Sequence, residues 1–389
     1  SVLPLIILQI LLSSLIPLLI WRIGAILTER RGPPLIAAAL AAFEPLMMLW
    51  SAVLLTDVTA FFLLLIAVLF FCRFLRTHAV RNATLSGLFL GAAALTRPDG
   101  QFLFLIAIAY FLSALIFTLA KKTKEVSVWR AAKPIVIAGV LFAFSFYLVA
   151  SPWLIRNWMQ FKTTSVATTG LRNVYVTLAP AVLSMKTGRT YDEETETLVQ
   201  QFSEKYNVGR KEMYENPAYG NLLVKEGLRI LFKNPKETAE VFLIDLNAFF
   251  TQDLYTTYLR HFGVTPRFSF DFSPSVVLLK EGPITLAEMV WDRLGMYSII
   301  PVLGRFLWIC LALFGLFGAY SSLKNQKERT IGFAMLFVIA YFAASSMAAG
   351  FSDYGRHRYP ANSFIFLFAG YGIVALRDRI MKKKSEPRH

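Results

Sequence analysis

Three consecutive residues that can carry positive charge lie near the end of the chain. Arg356, His357 and Arg358 occur in the segment GFSDYGRHRYP, and Tyr359 follows them. A guanidinium is a planar fork that binds phosphate oxygens in pairs. Because apolar stretches flank this segment, we predict that it binds an anionic lipid head group at a membrane edge. The alternative is that these cations contact head groups or neighbouring acids without a chemical role.

Two further charged residues begin or end apolar runs. Asp57 precedes a long apolar run, where an acid can bind a sugar hydroxyl, a metal or an acceptor. Its alternative role is the N-cap of the helix that starts at Val58. Arg97 lies in the sequence TRPDG and is expected either to bind the same phosphate as Arg356 or to pair with Asp99 inside a tight turn.

Three other polar residues are weaker candidates. Arg156 and Asn157 lie between two tryptophans, and aromatic pairs of this kind are typical of a membrane interface. We therefore favour an interfacial position over a catalytic role for both. Glu44 precedes a proline inside an apolar run, where a carboxyl group is a functional candidate by default. A hydrogen bond to a neighbouring helix is the favoured role for Glu44.

These residues must be positioned by helices that cross a membrane. The chain has 389 residues, of which 56% are hydrophobic. The apolar residues fall in runs of about 17–25 residues, the length that crosses a bilayer. We predict membrane spans at 2–20, 34–55, 57–72, 83–96, 101–119, 134–152, 299–320, 331–349 and 361–376. The expected fold class is an all-α integral membrane protein.

The charge pattern predicts the orientation. Short basic segments at 22–31, 73–81, 121–133, 324–329 and 377–388 all fall on one side if every predicted span is real. Lys and Arg are retained on the cytoplasmic side, so this side is expected to be inside and the C-terminus cytoplasmic. The formal net charge of +15 is explained in this way, and nucleic-acid binding is not expected.

The spans divide the chain into three expected domains. Residues 1–152 form a first transmembrane block, 153–298 an extracytoplasmic helical domain, and 299–389 a second transmembrane block with a basic tail. Within the extracytoplasmic domain, Asn234–Glu237 carries the signature of a helix start. The acidic stretch Asp192–Glu196 is expected to be a loop.

Common catalytic motifs are missing from the sequence. It contains no Walker loop, HExxH or GxSxG pattern, and its four histidines and two cysteines show no metal-ligand spacing. Nucleotide-driven and zinc-hydrolase chemistry are therefore not expected.

The order of several motifs resembles a known family. The runs LLTDVTAFFLLL, GLFLGAAALTRPDG, SPWLIRNW, LFKNPKETAEVFLIDLNAFF and RHRYP occur in this order. Together they resemble the GT-C superfamily of membrane glycosyltransferases, in particular the branch of protein O-mannosyltransferases and bacterial aminoarabinose transferases. The resemblance covers most of the chain. It implies a GT-C-like helical bundle with a large, mainly helical loop domain outside the membrane.

The resemblance implies transfer of a sugar from a polyprenyl-phosphate donor to a lipid, glycan or protein acceptor at the outer face, usually with inversion. Arg97, Arg356 and Arg358 match positions where the family places cations, with His357 assisting. Asp57 matches an acidic residue of the second outer loop, and Arg156 and Asn157 match the start of the large loop. Glu44 departs from the small or uncharged residue that is usual before this proline.

A second departure concerns the start of the chain. The family begins with one more span and an outer loop that bears an acid, the presumed catalytic base, so we expect the sequence to be N-terminally truncated. Asp57 alone makes no metal site, which leaves a divalent metal open as a cofactor.

Two other functions are considered: a transporter, and a non-catalytic subunit that binds lipid or assists assembly. The enzyme is preferred because the candidate residues cluster at the outer face. The expected location is the bacterial inner membrane, in contact with membrane lipids.

Overall fold

The protein is built from helices. The computed structural model describes residues 2–120, 128–167, 172–253, 255, 261, 263, 274–348, 350, 351 and 354–385. Within these residues there are helices and no strand, which confirms the predicted all-α membrane fold. Parts of the basic segments 121–133 and 377–388 lie outside the described residues.

The first seven helices come from the N-terminal part of the chain. They are α1 (Leu3–Leu27), α2 (Gly32–Phe43), α3 (Pro45–Ala52), α4 (Asp57–Thr77), α5 (Val80–Thr96), α6 (Gly100–Ala120) and α7 (Val128–Phe161). The last of these extends beyond the predicted end of the sixth span at residue 152, as far as Phe161. Arg156 and Asn157 therefore lie in the final turns of this helix and not in a loop.

The central region supplies short helices and the C-terminal part supplies long ones. The central helices are α8 (Ala179–Thr187), α9 (Tyr191–Tyr206), α10 (Arg210–Glu215), α11 (Gly220–Lys233), α12 (Pro235–Thr251), α13 (Pro274–Lys280) and α14 (Gly282–Leu294). The C-terminal helices are α15 (Ile299–Lys324), α16 (Gln326–Met347) and α17 (Tyr354–Ser385). A π-helical turn at Val174–Leu178 and two short 3-10 turns complete the set.

Seven of the described helices are long and apolar enough to cross a membrane, or up to eight if one bent pair is a single span. The bent pair is α2 and α3, which meet at an angle of 51°. Each of the nine predicted spans corresponds to a helix or to this pair. The predicted fourth span coincides with α5, whose 17 residues are not among these candidate spans, so its crossing of the membrane stays a prediction.

The acidic stretch Asp192–Glu196 is not a loop, so that prediction is wrong. It forms the first turns of α9, because Thr190 and Glu193 make a capping box in which each side chain accepts a hydrogen bond from the other's backbone amide. The acids also complement the positive end of the helix dipole. The predicted helix start at Asn234 is confirmed as the beginning of α12, although the Asn234 side chain does not cap it.

The two ends of the bundle carry different contacts. At one end, where α1 and α17 finish, Arg30 pairs with Asp378 at 2.9 Å and Lys327 with Glu29 at 3.8 Å. At the other end lie the starts of α4, α6 and α17 and the end of α5. The central helix of the bundle is α17, because 83% of its most apolar stretch is buried by the rest of the protein. The candidate residues near its start are thus anchored to the core of the bundle.

Candidate functional site

Asp57 lies at the centre of a buried ion-pair cluster. Thr56 is the N-cap of α4 and Asp57 is the first helical residue, so the alternative that Asp57 itself is the N-cap is corrected. Its side chain is 2% exposed. One carboxylate oxygen, Oδ1, accepts hydrogen bonds from Arg97 Nη1 and, at 3.2 Å, from Arg356 Nε. The other oxygen, Oδ2, accepts from Arg356 Nη2 at 3.0 Å.

Arg97 bridges two acids. It caps the C-terminus of α5 in an extended conformation, which turns its side chain away from the helix axis. Its Nε donates to Asp99 Oδ2 at 2.6 Å, and its Nη1 donates to Asp57. Tyr341 of α16 donates its hydroxyl hydrogen bond to the Asp99 carbonyl. The predicted pair with Asp99 is present, and it orients the guanidinium that contacts Asp57. Binding of Arg97 to the same phosphate as Arg356 stays a prediction that is compatible with this pair.

Arg356 enters the cluster from a distant part of the chain, the start of α17. Its side chain is 39% exposed, whereas that of Arg97 is 14% exposed. We call Asp57, Arg97, Asp99 and Arg356 the Asp57 cluster. The bidentate pair with Asp57 fixes the orientation of the Arg356 guanidinium. Such a fixed and partly exposed fork is suited to binding an oxyanion.

Arg358 has a different environment. Its side chain is fully buried, and its Nη1 and Nη2 donate to the carbonyl oxygens of Phe249 and Gln252 at 2.7 and 2.6 Å. Its Nε donates to Asn362 at 3.1 Å, and the guanidinium lies 3.4 Å from the Trp308 ring centre. Arg358 thus joins α17 to the end of α12, and we leave it out of the donor site proposed below.

The two residues next to Arg358 in the sequence, His357 and Tyr359, lie in different environments. Tyr359 is 1% exposed and its ring lies 4.8 Å from that of Phe61, so it packs in the core. His357 is half-buried. A contribution of either residue to donor binding stays a prediction.

Asn157, near the end of α7, binds the segment that follows this helix. It is 2% exposed, and its amide donates to the carbonyls of Ser165 and Val166 at 3.0 and 3.1 Å. Arg156 is exposed, donates to the Asn157 side chain at 2.9 Å and lies 4.6 Å from the Trp153 ring centre. The interfacial position of Arg156 stays a prediction, whereas the buried Asn157 holds the segment after α7.

Glu44 lies at the break between α2 and α3. Its backbone is extended there, and Oε2 accepts from the Met47 amide at 2.7 Å, which caps α3. The other oxygen, Oε1, is buried and accepts no hydrogen bond from the described part of the chain. The capping contact within its own helix differs from the hydrogen bond between helices that was expected.

Sequence reasoning missed Asp253. It follows α12, is 5% exposed, and its Oδ1 accepts from the Tyr255 amide at 2.6 Å. Burial raises the pKa of Asp253 to about 6, although the Tyr255 amide and the nearby Arg305 and Arg358 favour its charged form. An isolated acid after a helix has no motif around it, so only the fold shows that this residue is buried beside arginines.

The Asp57 cluster, as the structure describes it, does not fit a metal ion. Both carboxylate oxygens of Asp57 already accept from guanidinium groups. Within the described ranges, there is no group of three His, Cys, Asp or Glu side chains that could hold a metal. We derive no step through a metal.

Comparison with known proteins gives one family. The model of the dolichyl-phosphate-mannose-protein mannosyltransferases matches residues 1–155, which include α1 to α6 and most of α7. No curated protein and no solved structure matches the chain significantly. The matched region contributes Asp57, Arg97 and Asp99 to the cluster, whereas Arg356 lies outside it. The match bears out the resemblance over residues 1–155, less than half of the chain, whereas the runs LFKNPKETAEVFLIDLNAFF and RHRYP lie outside it. The candidate spans agree with a multi-pass membrane protein.

Proposed function

We propose that the protein transfers a sugar from a polyprenyl-phosphate donor to an acceptor at the outer face of the membrane, with inversion at the anomeric carbon. The observation that carries this proposal is the convergence of Arg97 and Arg356 on buried Asp57. The two arginines come from helices far apart in the chain and meet at the end of the bundle near the large central region. Cations at this position suit the lipid phosphate of such a donor.

Arg97 and Arg356 stabilise the leaving group in the proposed reaction. The acceptor oxygen attacks the anomeric carbon, the bond from that carbon to the phosphate oxygen breaks, and its electron pair stays on the phosphate. The acceptor proton passes to a base. Oriented guanidinium groups favour the phosphate more strongly as its negative charge grows, which lowers the barrier. Each charge-assisted hydrogen bond contributes about 1.5–3 kcal/mol.

Asp57 acts as a positioning residue in this proposal. Both of its oxygens accept hydrogen bonds from arginines, so its carboxylate orients the two guanidinium groups. A carboxylate between two guanidinium groups also offsets their mutual repulsion. Replacing Asp57 with Asn is therefore expected to disturb the arginines instead of removing a base.

The large central region is proposed to lie outside the cytoplasm and the C-terminus inside. The basic segments near residues 22–31 and 377–388 meet at the opposite end of the bundle from the Asp57 cluster. Since basic residues are retained in the cytoplasm, this arrangement supports the proposal that the cluster faces the outer side of the bacterial inner membrane.

A transfer assay tests the proposal. Full-length protein in liposomes is given a panel of polyprenyl-phosphate sugars, beside Arg97→Ala and Arg356→Ala, and release of polyprenyl phosphate is measured. We expect release by the parent and a loss of about 10- to 100-fold in each variant, equivalent to one charge-assisted hydrogen bond. Arg377→Ala is the matched control, because Arg377 is 63% exposed at the other end of the bundle.

Two outcomes would favour other functions. A broken spanning helix that carries an acid, as at Glu44, is also typical of transporters. Uptake of a lipid-phosphate sugar without its cleavage would support a transporter. Binding without either process, by folded full-length protein, would support a non-catalytic lipid-binding subunit.

A further inference from the structure

An apolar groove runs along the bundle beside the break between α2 and α3. Its volume is about 330 Å³, at the lower end of the range of about 300–1,000 Å³ for small-molecule sites. The lining comes from α2, α3, α15 and α17, together with Glu44 at the break and Tyr255. It includes Ile36, Leu40, Leu307, Leu311 and Phe366. Leu307 is 45% exposed on a helix that qualifies as a membrane span, so the groove opens toward lipid.

The groove contains one carboxyl group. Glu44 belongs to the lining and is 5% exposed. Its Oε2 is occupied by the Met47 amide, while Oε1 is buried and has no hydrogen-bond partner among the described residues. A buried polar atom without a hydrogen-bond partner destabilises the folded protein. A ligand that donates one hydrogen bond to Oε1 would remove this cost.

The charged residues around Glu44 favour a ligand whose hydrogen-bond donor is uncharged. The charges of Arg358 and Asp253 interact with Glu44, and the charge of Arg305 interacts with Asp253. Two acids and two arginines balance one another, so an ammonium group would add an uncompensated charge to a buried site. A hydroxyl group donates the required hydrogen bond without adding charge.

From these observations we propose that the groove binds a membrane lipid that carries a hydroxyl group, with its hydrocarbon against the apolar lining and its hydroxyl donating to Glu44 Oε1. The occupant is a long-chain alcohol and comes from the bilayer. This site is separate from the phosphate site of the Asp57 cluster. Binding in the groove does not depend on transferase activity.

Photolabelling of the full-length protein in phosphatidylcholine vesicles tests the site. The probes are a long-chain alcohol with a diazirine near its hydroxyl group and the methyl ether of the same molecule. Labelled positions are located by mass spectrometry. We expect the alcohol to label the groove about 10- to 100-fold more efficiently than the ether, because only the alcohol can donate to a carboxylate.

Two variants separate the hydroxyl contact from the groove itself. Glu44→Gln retains an oxygen that can cap α3 and adds an N–H that can donate to either probe, so the preference for the alcohol should disappear while labelling persists. Leu307→Trp fills the groove and should reduce labelling by both probes at least tenfold. Leu105→Trp is the matched control, since Leu105 is 59% exposed on α6, away from the groove.

Each labelling result tests the lipid-binding groove independently of the proposed transferase activity. Equal labelling of the parent by alcohol and ether would refute the hydroxyl contact. Groove labelling that survives Leu307→Trp, or label that never reaches the groove in the parent, would refute the site. These outcomes leave the transfer assay unaffected, because the probes carry neither phosphate nor sugar.

Discussion

Arg358 is the most tightly held charged residue in the described part of the bundle. It is fully buried, and its guanidinium combines three hydrogen bonds with stacking on Trp308. The acceptors on Phe249 and Gln252 lie at the end of α12, so this one side chain fixes the junction between the central helices and the membrane bundle. Removing it would leave buried carbonyl groups without donors.

Arg358→Ala is expected to lower the stability by about 3–5 kcal/mol, the cost of deleting one partner of a buried charged network. Arg358→Lys should not restore it, because an ammonium group offers neither the planar fork nor the same stacking. The melting temperature of purified protein in detergent measures both effects.

Arg377→Ala is the control for this comparison, since Arg377 is 63% exposed and a surface ion pair contributes about 0–1 kcal/mol. A melting temperature for Arg358→Lys equal to that of the parent would contradict the role assigned to the planar guanidinium.

Asp253 is expected to make stability depend on pH. Burial raises its pKa in the folded protein to about 6 from an ordinary value of 3.8. Between these values the folded state binds more protons than the unfolded state, so stability falls as pH rises from about 4 to about 6. The full difference corresponds to about 3 kcal/mol. Asp253→Asn should therefore gain stability relative to the parent across this range.

Melting temperatures at pH 4, 5, 6 and 7 measure this prediction. The advantage of the Asn variant should be small at pH 4, grow up to pH 6 and then level off. An advantage that shrinks as pH rises would mean that the arginines near Asp253 outweigh its burial. Asp292→Asn serves as the control, because Asp292 is exposed.

Residue types and spacing predicted the Asp57 cluster in part. Arg97 and Arg356 were expected to meet near the same ligand, and both contact Asp57. Arg358 could not be separated from Arg356 by motif alone. On a helix, residues two positions apart point in different directions, so one guanidinium is partly exposed and the other is buried. That difference becomes visible only once the helix and its packing are known.

At the scale of elements, α15 and α17 approach closely enough for backbone contact. A Cβ atom added to Gly318 would overlap the carbonyl oxygen of Phe368, and one added to Gly372 would overlap that of Phe314. At Gly315, one turn earlier on α15, the nearest atom would be 3.7 Å away. The crossing point is therefore confined to a short segment, and α17 cannot move outward without separating from α15.

Gly318→Ala is expected to destabilise the protein by about 1–3 kcal/mol, since overpacking forces the two backbones apart. Gly315→Ala should be tolerated, because its Cβ would make an ordinary contact and alanine favours a helix. Thermal unfolding of the two variants in detergent makes the comparison, and equal melting temperatures would show that the crossing adjusts.

The length of the apolar runs predicted the helices better than it predicted the breaks within them. Each predicted span corresponds to a helix or to the bent pair, because long apolar runs leave few other structures in a membrane. The break at Glu44 was not predicted as a change of helix direction. Pro45 frees a backbone carbonyl, and at this 51° bend the Glu44 side chain also caps the next helix. The capping box of α9 was present in the sequence as Thr190 and Glu193 and was overlooked.

For the whole molecule, the basic segments predict which end faces the cytoplasm. In a background with Cys310→Ser, Gln201→Cys on α9 should react with a membrane-impermeant maleimide added outside right-side-out vesicles. Glu29→Cys should react only after the vesicles are opened. Both positions are exposed, so the difference between them reports the side of the membrane. Reaction of Glu29→Cys in sealed vesicles would reverse the orientation.

The central claim is that Arg97 and Arg356, oriented by Asp57, bind the phosphate of a polyprenyl lipid. The most direct measurement is the affinity of the full-length protein for polyprenyl phosphate, a probe without sugar. We expect Arg97→Ala and Arg356→Ala each to weaken binding about 10- to 100-fold, and Arg377→Ala to leave it unchanged. Unchanged affinity in both cluster variants, with folding intact, would contradict the account.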